Sequence, residues 1–389
     1  MNVHRSDRET RCVAEPKLLF VVNSADFFLS HRACLAEHAR ERGWQVLVAC
    51  GAGTGEEKVA GRGFPVRVLP LSRSGLHPWR EWRAFRALCE LYRAERPDLV
   101  HHVTVKPVIY GTLAARATKV RGVVNAVPGL GHVFTARGAR AAARRALVRA
   151  LYGLASAGSR AQFIFQNRED RDAFLAIATI DADRAHLIPG SGVDLDRFAQ
   201  TPEPEAPPTF LLLARMLEDK GVREFVAAAA RVRTVHTDWR FRLAGGVDPG
   251  NPSTLDAATL ERWRAEGAVE WLGHREDTPA LIAGCHVVCL PSHGGEGLPK
   301  TLIEAAASGR AAIATDVPGC RDAVEDGVTG LLVPARDEAA LAAAMRRLGE
   351  DAGLRRQFGA AARARAVALF DVADVVRTTF RIYEAALAA

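Results

Sequence analysis

The stretch HVVCLPSHGGEGLPKTLIEA, residues 286–305, decides how this chain is read. HVVCLP is an unbroken apolar run of the length of a buried strand. Pro299 suits the first turn of a helix, where a missing N–H costs nothing. Good helix formers follow it. The order is strand, glycine-containing loop, helix. Open N–H groups at such a helix start attract anions. Glu296 falls in the loop and Glu304 about two turns further on. One amide cluster therefore lies between two carboxylates around a single crevice. A phosphate on the amides leaves each carboxylate free to accept hydrogen bonds from sugar hydroxyls, which is a nucleotide-sugar site in outline.

The same alternation runs through the chain. LLFVVNS (18–24), WQVLVAC (44–50), PVRVLPL (65–71), DLVHHVT (98–104), GVVNAV (122–127) and AQFIFQN (161–167) read as strands with helical segments between them. HRACLAEHARERG (31–43) reads as a helix closed by Gly43, and NSADFFLSHR (23–32) as the loop before it. QTPEPEAPPT (200–209) holds four prolines in ten residues and interrupts the pattern. Strands then restart at 210–216, 239–246, 269–274, 286–291, 311–316 and 330–334, and the chain ends in helices over 337–350, 352–369 and 371–387. At 389 residues the chain suits two cores rather than one. The expectation is an α/β protein of two Rossmann-like domains facing a central cleft. Residues 1–16 form a loose tail, 17–199 the N-terminal domain, 200–209 the linker and 210–370 the C-terminal domain. A C-terminal helix, 371–389, crosses back.

LARMLEDKG (213–221) follows the first strand of the second half. Arg215 and Lys220 there can clamp a diphosphate, the arginine bidentately and the lysine as a point charge. The net charge is +7, and residues 99–168 carry eleven Lys or Arg and no acid. That imbalance points to an anionic partner. Arg137, Arg140, Arg144, Arg145 and Arg149 lie on one helical segment with Leu147, Leu151 and Leu154, which fits an anionic membrane surface. The polar start of the chain shows no signal region, and the seven scattered cysteines suit a reducing compartment. A cytoplasmic protein, peripheral on the inner face of the plasma membrane, is expected.

PSHGGEGLPKTLIEAAASGRAAIATDVPG (291–319) resembles the donor-binding segment of the retaining group 1, family 4-like glycosyltransferases of GT-B fold, similar to the bacterial polysaccharide and capsule enzymes. The resemblance runs from about residue 17 and is strongest over 210–335. It implies transfer of a hexose or N-acetylhexosamine, with retention, from a nucleotide diphosphate sugar to a lipid-linked or soluble glycan. Glu296, Arg215 and Lys220 would be catalytic. Glu304, Gly297, Leu298, Thr301, Leu302 and Arg275 would bind the donor, with Glu304 on the ribose and the amides near Thr301 and Leu302 on the diphosphate. Ser24, Phe27, His31, His102 and His132 would line the acceptor side. Two departures stand out. Arg310-Ala311 replaces the usual proline-containing segment, and Pro128 stands where many relatives place a histidine, with His132 four residues on as its substitute.

No cofactor or metal is implied. Asp194 and Asp196 resemble the family's domain-crossing element rather than a metal site, and Arg215 with Lys220 neutralises phosphate charge. A dinucleotide oxidoreductase needs Gly-x-Gly-x-x-Gly after the first strand, and residues 23–32 contain no glycine. A nucleic-acid-binding protein does not need the Glu296/Glu304 arrangement, and no aromatic motif interleaves the arginines. A GT-B nucleotide-sugar epimerase is the remaining alternative.

Overall fold

The computed structural model describes residues 15–71, 77–129, 139–178 and 180–388, with backbone alone for 139–141. The first half builds a seven-stranded sheet in the order β3-β2-β1-β4-β5-β6-β7. Its strands are β1 Lys17–Val22, β2 Gln45–Gly51, β3 Val66–Leu69, β4 Leu99–Val103, β5 Gly122–Val127, β6 Gln162–Phe165 and β7 Ala185–Leu187. All neighbours are parallel, so both faces need cover, and the strands are continuous apolar runs rather than alternating ones. Helices α1 Ala25–His31 and α2 Ala33–Glu41 cover one face, and α4 Pro78–Glu95, α5 Val105–Thr118 and α6 Ala139–Ser156 cover the other. The short α3 Glu56–Gly61 joins β2 to β3, and α7 Arg168–Leu175 leads from β6 to β7.

The segment 23–32, read as a loop, is a helix. Ser24 caps it by accepting the Phe27 N–H at 3.3 Å, and α1 and α2 break only at Arg32.

The second half builds a six-stranded sheet, β10-β9-β8-β11-β12-β13. Its strands are β8 Thr209–Leu213, β9 Arg240–Ala244, β10 Glu270–Trp271, β11 Val287–Leu290, β12 Ala311–Thr315 and β13 Gly330–Val333. Crossovers α8 Val222–Arg233, α9 Ala257–Ala265, α10 Thr278–Ala283, α11 Lys300–Ala307 and α12 Pro318–Ala323 are followed by α13 Glu338–Glu350, α14 Ala352–Leu369 and α15 Val372–Ala388. The strand order reverses between β1 and β4 in one sheet and between β8 and β11 in the other. Ligands of such sheets collect at the carboxyl ends of the strands beside that reversal.

The chain crosses between the sheets twice, side by side. Val193 N–H donates to Phe370 O at 2.8 Å and Val372 N–H to Val193 O at 3.0 Å. Gly192, at φ +75°, admits this contact because a Cβ there would sit 2.6 Å from Val372 Cα. Beyond the second crossing α15 packs on the first sheet, where the Tyr383 hydroxyl meets His101 Nδ1 at 2.6 Å.

The proline-rich segment lies along the second domain as a strap. Arg310, 1% exposed, donates to the carbonyls of Thr201 (2.7 Å), Pro202 (2.9 Å), Ala283 (2.8 Å) and Cys285 (2.9 Å). Arg355 pairs with Glu203 at 3.1 Å. His286 accepts the Thr209 N–H on Nδ1, which leaves Nε2 protonated to donate to Pro204 O at 3.1 Å. The arginine that replaces the usual proline-containing segment is thus the fastener of the strap. Arg310→Ala strands several buried carbonyls, and we expect a loss of about 3 kcal/mol or more, read as a lower urea midpoint.

Candidate active site

Glu296 sits after β11 in a loop that two glycines let turn sharply, Gly294 at φ +122° and Gly295 at φ +75°. The loop is pinned from both sides. His293 N–H donates to Asp219 O at 2.8 Å, and the His293 ring meets Glu224 at 2.8 Å. The Ser292 hydroxyl lies 2.7 Å from Glu296 Oε1 and 3.1 Å from Asp219 O. Lys220 ends a 3-10 turn, Glu218–Lys220, beyond β8, and its ammonium bonds Glu296 Oε1 directly. Burial alone would raise the Glu296 carboxyl. Lys220, then Ser292 and Arg215, outweigh it and hold the group below the usual carboxylate range. Arg215, half exposed, rests on Asp248 at 2.5 Å.

Glu304 lies in the helix that follows this loop and behaves oppositely. It is buried on α11, and Lys300 Nζ is 3.7 Å from its Oε1, an ion pair too long for a hydrogen bond. Burial pushes this carboxyl up against the opposing pull of Lys300 and Arg197.

The first domain closes the other side. Lys300 Nζ donates to Ser30 O at 2.6 Å. His31 stacks on Phe27, with ring centres 4.2 Å apart and planes within 2°. Burial first, then Lys300 and Arg32, push its pKa down to about 3, so the imidazole is neutral. Further along, Asn167 Nδ2 donates to Gly297 O at 3.0 Å and Leu298 N–H donates to Gln166 Oε1 at 3.0 Å. Gly297 is tight against the first domain, since a Cβ there would fall 1.7 Å from Pro128 O.

The structure brings Glu296, Lys220, Arg215, Gly297 and Glu304 to one crevice, with Phe27 and His31 across it. It relocates the rest of the expected set. Leu298 and Leu302 are core residues, and the Leu302 N–H is spent on Pro299 O at 3.1 Å. Among the described residues, the amides without a partner at this helix start are those of Lys300 and Thr301. The Thr301 hydroxyl is held by Leu213 O at 2.8 Å. Arg275 is turned onto Asp277 at 2.8 Å. Ser24 is a helix cap. His102 is wholly buried between Tyr92 and Asn125, each at 2.8 Å, because β4 is central and its face is covered by α4 and α5. His132 lies outside the described residues. Asp194 accepts the amides of Asp196 and Arg197, which makes the Asp-x-Asp pair a turn. Sequence reading missed Ser292, Asp248 and Lys300. Only Ser292 and Lys300 carried a signal, their nearness to Glu296 and Glu304.

Two facing sheets with their reversal points at one cleft define a GT-B protein. The chain belongs to the group 1 and family 4-like glycosyltransferases: residues 17–167 match the family described as glycosyl transferase 4-like and residues 207–351 that described as glycosyl transferases group 1. It is 29% identical over 349 residues to the N,N'-diacetylbacillosaminyl-diphospho-undecaprenol alpha-1,3-N-acetylgalactosaminyltransferase of Campylobacter jejuni, covering 84% of this chain and 90% of that protein. Among solved structures, sucrose-phosphate synthase from Thermosynechococcus elongatus superposes with a TM-score of 0.78 at 19% identity, covering 96% of this chain and 100% of its own. Anabaena HepE, solved with UDP and glucose, gives 0.76 at 20%, covering 94% and 99%. At these identities the structural likenesses speak for the fold.

Glu304 supplies a test with two readouts. Its folded carboxyl sits above the unfolded value of about 4.3. The folded chain therefore holds that proton more tightly, the ionised form costs stability at neutral pH, and the cost is relieved as pH falls through the folded value toward about 4.3. Glu304→Gln should raise the melting temperature at pH 7 and flatten this acid-side gain. The same variant should weaken nucleotide affinity by about tenfold in calorimetry, since a hydrogen bond to a charged acceptor is worth about 1.5–3 kcal/mol.

Proposed function

We propose that this glycosyltransferase moves a hexose or N-acetylhexosamine from a nucleoside diphosphate sugar to a hydroxyl of a lipid-linked glycan, with retention, in the synthesis of a cell-surface polysaccharide. The observation that carries the donor reading is the cluster of Lys220, Glu296 and Ser292 beside Arg215 and the open amides of α11. When the bond from the sugar to the diphosphate breaks, charge develops on the leaving oxygen. Lys220, Arg215 and the Lys300 and Thr301 amides face that charge. Glu296 accepts hydroxyls of the donor sugar, and Glu304 those of the ribose. The acceptor hydroxyl forms the new bond to the sugar as the bond to the diphosphate breaks, and its proton passes to the departing diphosphate oxygen. Retention is supported by the resemblance of 291–319 to the retaining family. A lipid-linked acceptor is supported by the diphospho-undecaprenol substrate in the Campylobacter relative's name.

With two protein cations opposite the diphosphate, transfer should survive EDTA. Lys220→Ala should lose about a hundredfold or more in kcat, the scale of one charge stabiliser. Loss of activity on chelation, restored by Mg²⁺, would overturn the clamp. The decisive assay screens nucleotide sugars by thermal shift, then follows transfer of the stabilising one to lipid-linked acceptors.

A peripheral seat on the inner membrane face belongs to the same reading. No described helix is long and apolar enough to cross a membrane. On α6, Leu147 and Leu154 are 47% and 54% exposed beside the exposed Arg149. Arg137 and the side chain of Arg140 lie outside the described residues. Each cation near an anionic leaflet contributes about 1 kcal/mol, screened within about 8 Å. Sedimentation with anionic liposomes should therefore be strong at low salt and fall steeply as salt rises. Equal binding to neutral vesicles would assign the surface elsewhere.

A further inference from the structure

Thr104 has a backbone that its residue type rarely adopts. It leaves β4 at φ +77° and ψ 167°, a region that belongs almost entirely to glycine and is hardest on β-branched side chains. The surroundings hold it there. Its N–H donates to Ala126 O at 3.2 Å and its carbonyl accepts the Val108 N–H at 3.0 Å. The strained backbone places the hydroxyl where it is buried with no hydrogen-bond partner among the described residues.

A second polar atom in the same condition lies beside it. Asn23 Oδ1 is also buried and also lacks a partner among the described residues. Val21 pairs with His102 across β1 and β4, so two residues further on Asn23 and Thr104 leave the sheet side by side. This is the strand pair at which the first sheet reverses its order. The position also lies between the two interdomain contacts. Asn23 precedes α1, whose end meets Lys300, and Thr104 leans on Ala126, two residues before the Pro128 that presses on Gly297. Both orphans therefore sit at the carboxyl ends of β1 and β4, between those two contacts.

We propose that Asn23 and Thr104 form a subsite for a hydroxyl of the acceptor saccharide, a proposal that rests on the transfer reaction put forward above. An amide oxygen accepts and a hydroxyl both donates and accepts, which suits a neutral sugar hydroxyl. A phosphate suits it less, because Lys106, the cation two residues beyond Thr104, is already paired with Glu81 at 2.7 Å, with both side chains about one-tenth exposed. Buried polar groups left unmatched in the free protein reward the ligand that matches them and reject one that lacks the hydroxyl.

The test is acceptor kinetics with Thr104→Val and Asn23→Ala, and Thr104→Ser as the conservative control. The expected result is an acceptor KM raised about tenfold in each of the first two, a donor KM within about twofold of wild type, and recovery in Thr104→Ser. Thr104→Val should keep or raise the melting temperature, because it removes an unmatched buried hydroxyl. An unchanged acceptor KM would mean that water satisfies the pair, and would overturn the subsite. Donor and acceptor KM rising together with a lower melting temperature would mark a structural role and also overturn it. If the wild-type protein glycosylates no saccharide, the functional reading fails and the subsite with it; if wild type transfers while Thr104→Val matches it, the subsite alone fails.

Discussion

A nearly dry carboxylate must have a cation, and this requirement organises the site. Glu296 is shielded from water, and Lys220, far away in sequence, neutralises it. The two meet because β8 and β11 are neighbours where the second sheet reverses its order, so the turn after one strand faces the loop after the other. Asp219 O ties them further by accepting the His293 amide, while the Ser292 hydroxyl beside it donates to Glu296. Removing one partner of such a pair leaves an uncompensated buried charge, which costs more than the pair itself contributes. The geometry of the loop is thus set by an ion pair as well as by its glycines.

Most of the architecture was legible because parallel strands covered on both faces are written as plain apolar runs. Strand β5 coincides with its reading, and α13, α14 and α15 agree to within a residue or so. What stayed illegible depended on what lies above a position rather than on the position. His102 looked like a strand-end histidine beside a cleft, but a central strand has helices on both faces and buries the ring with Tyr92 and Asn125. Leu302 looked like a free helix-start amide, but the last loop residue already supplies a carbonyl to it. The proline-rich stretch looked like a tether because composition reports stiffness and not attachment. Arg310, Arg355 and His286 make it part of the second domain. Lys220 and Glu296 could be read as roles, while their direct contact could not.

That attachment relocates the hinge. With 201–204 fastened to the second domain, the backbone that joins the domains is the pair of crossings, 190–193 and 370–372. Gly190 and Gly192 both have positive φ there, at +69° and +75°. Opening the cleft must release Lys300 from Ser30 O, Asn167 from Gly297 O and Gln166 from the Leu298 amide. Each of these involves the α11 loop. The segment proposed to meet the donor is therefore the segment that such opening would disturb, and excluding water from a reactive donor is the use such coupling would have.

The resting charges make the same point from another side. Neither cation proposed for the diphosphate waits unpaired: Lys220 is held by Glu296 and Arg215 by Asp248. A diphosphate must compete with those carboxylates, so its affinity is a difference between two sets of ion pairs and not the sum of new contacts. In return Lys220 is already placed and loses little side-chain freedom on binding. Arg215 is half exposed although its partner Asp248 is only 12% exposed, so it can reach solvent and ligand, whereas Lys220 can keep Glu296 while turning an ammonium hydrogen toward phosphate. On the proposed function Glu296 would then stay ionised beside the sugar, and the arginine would be the group that moves.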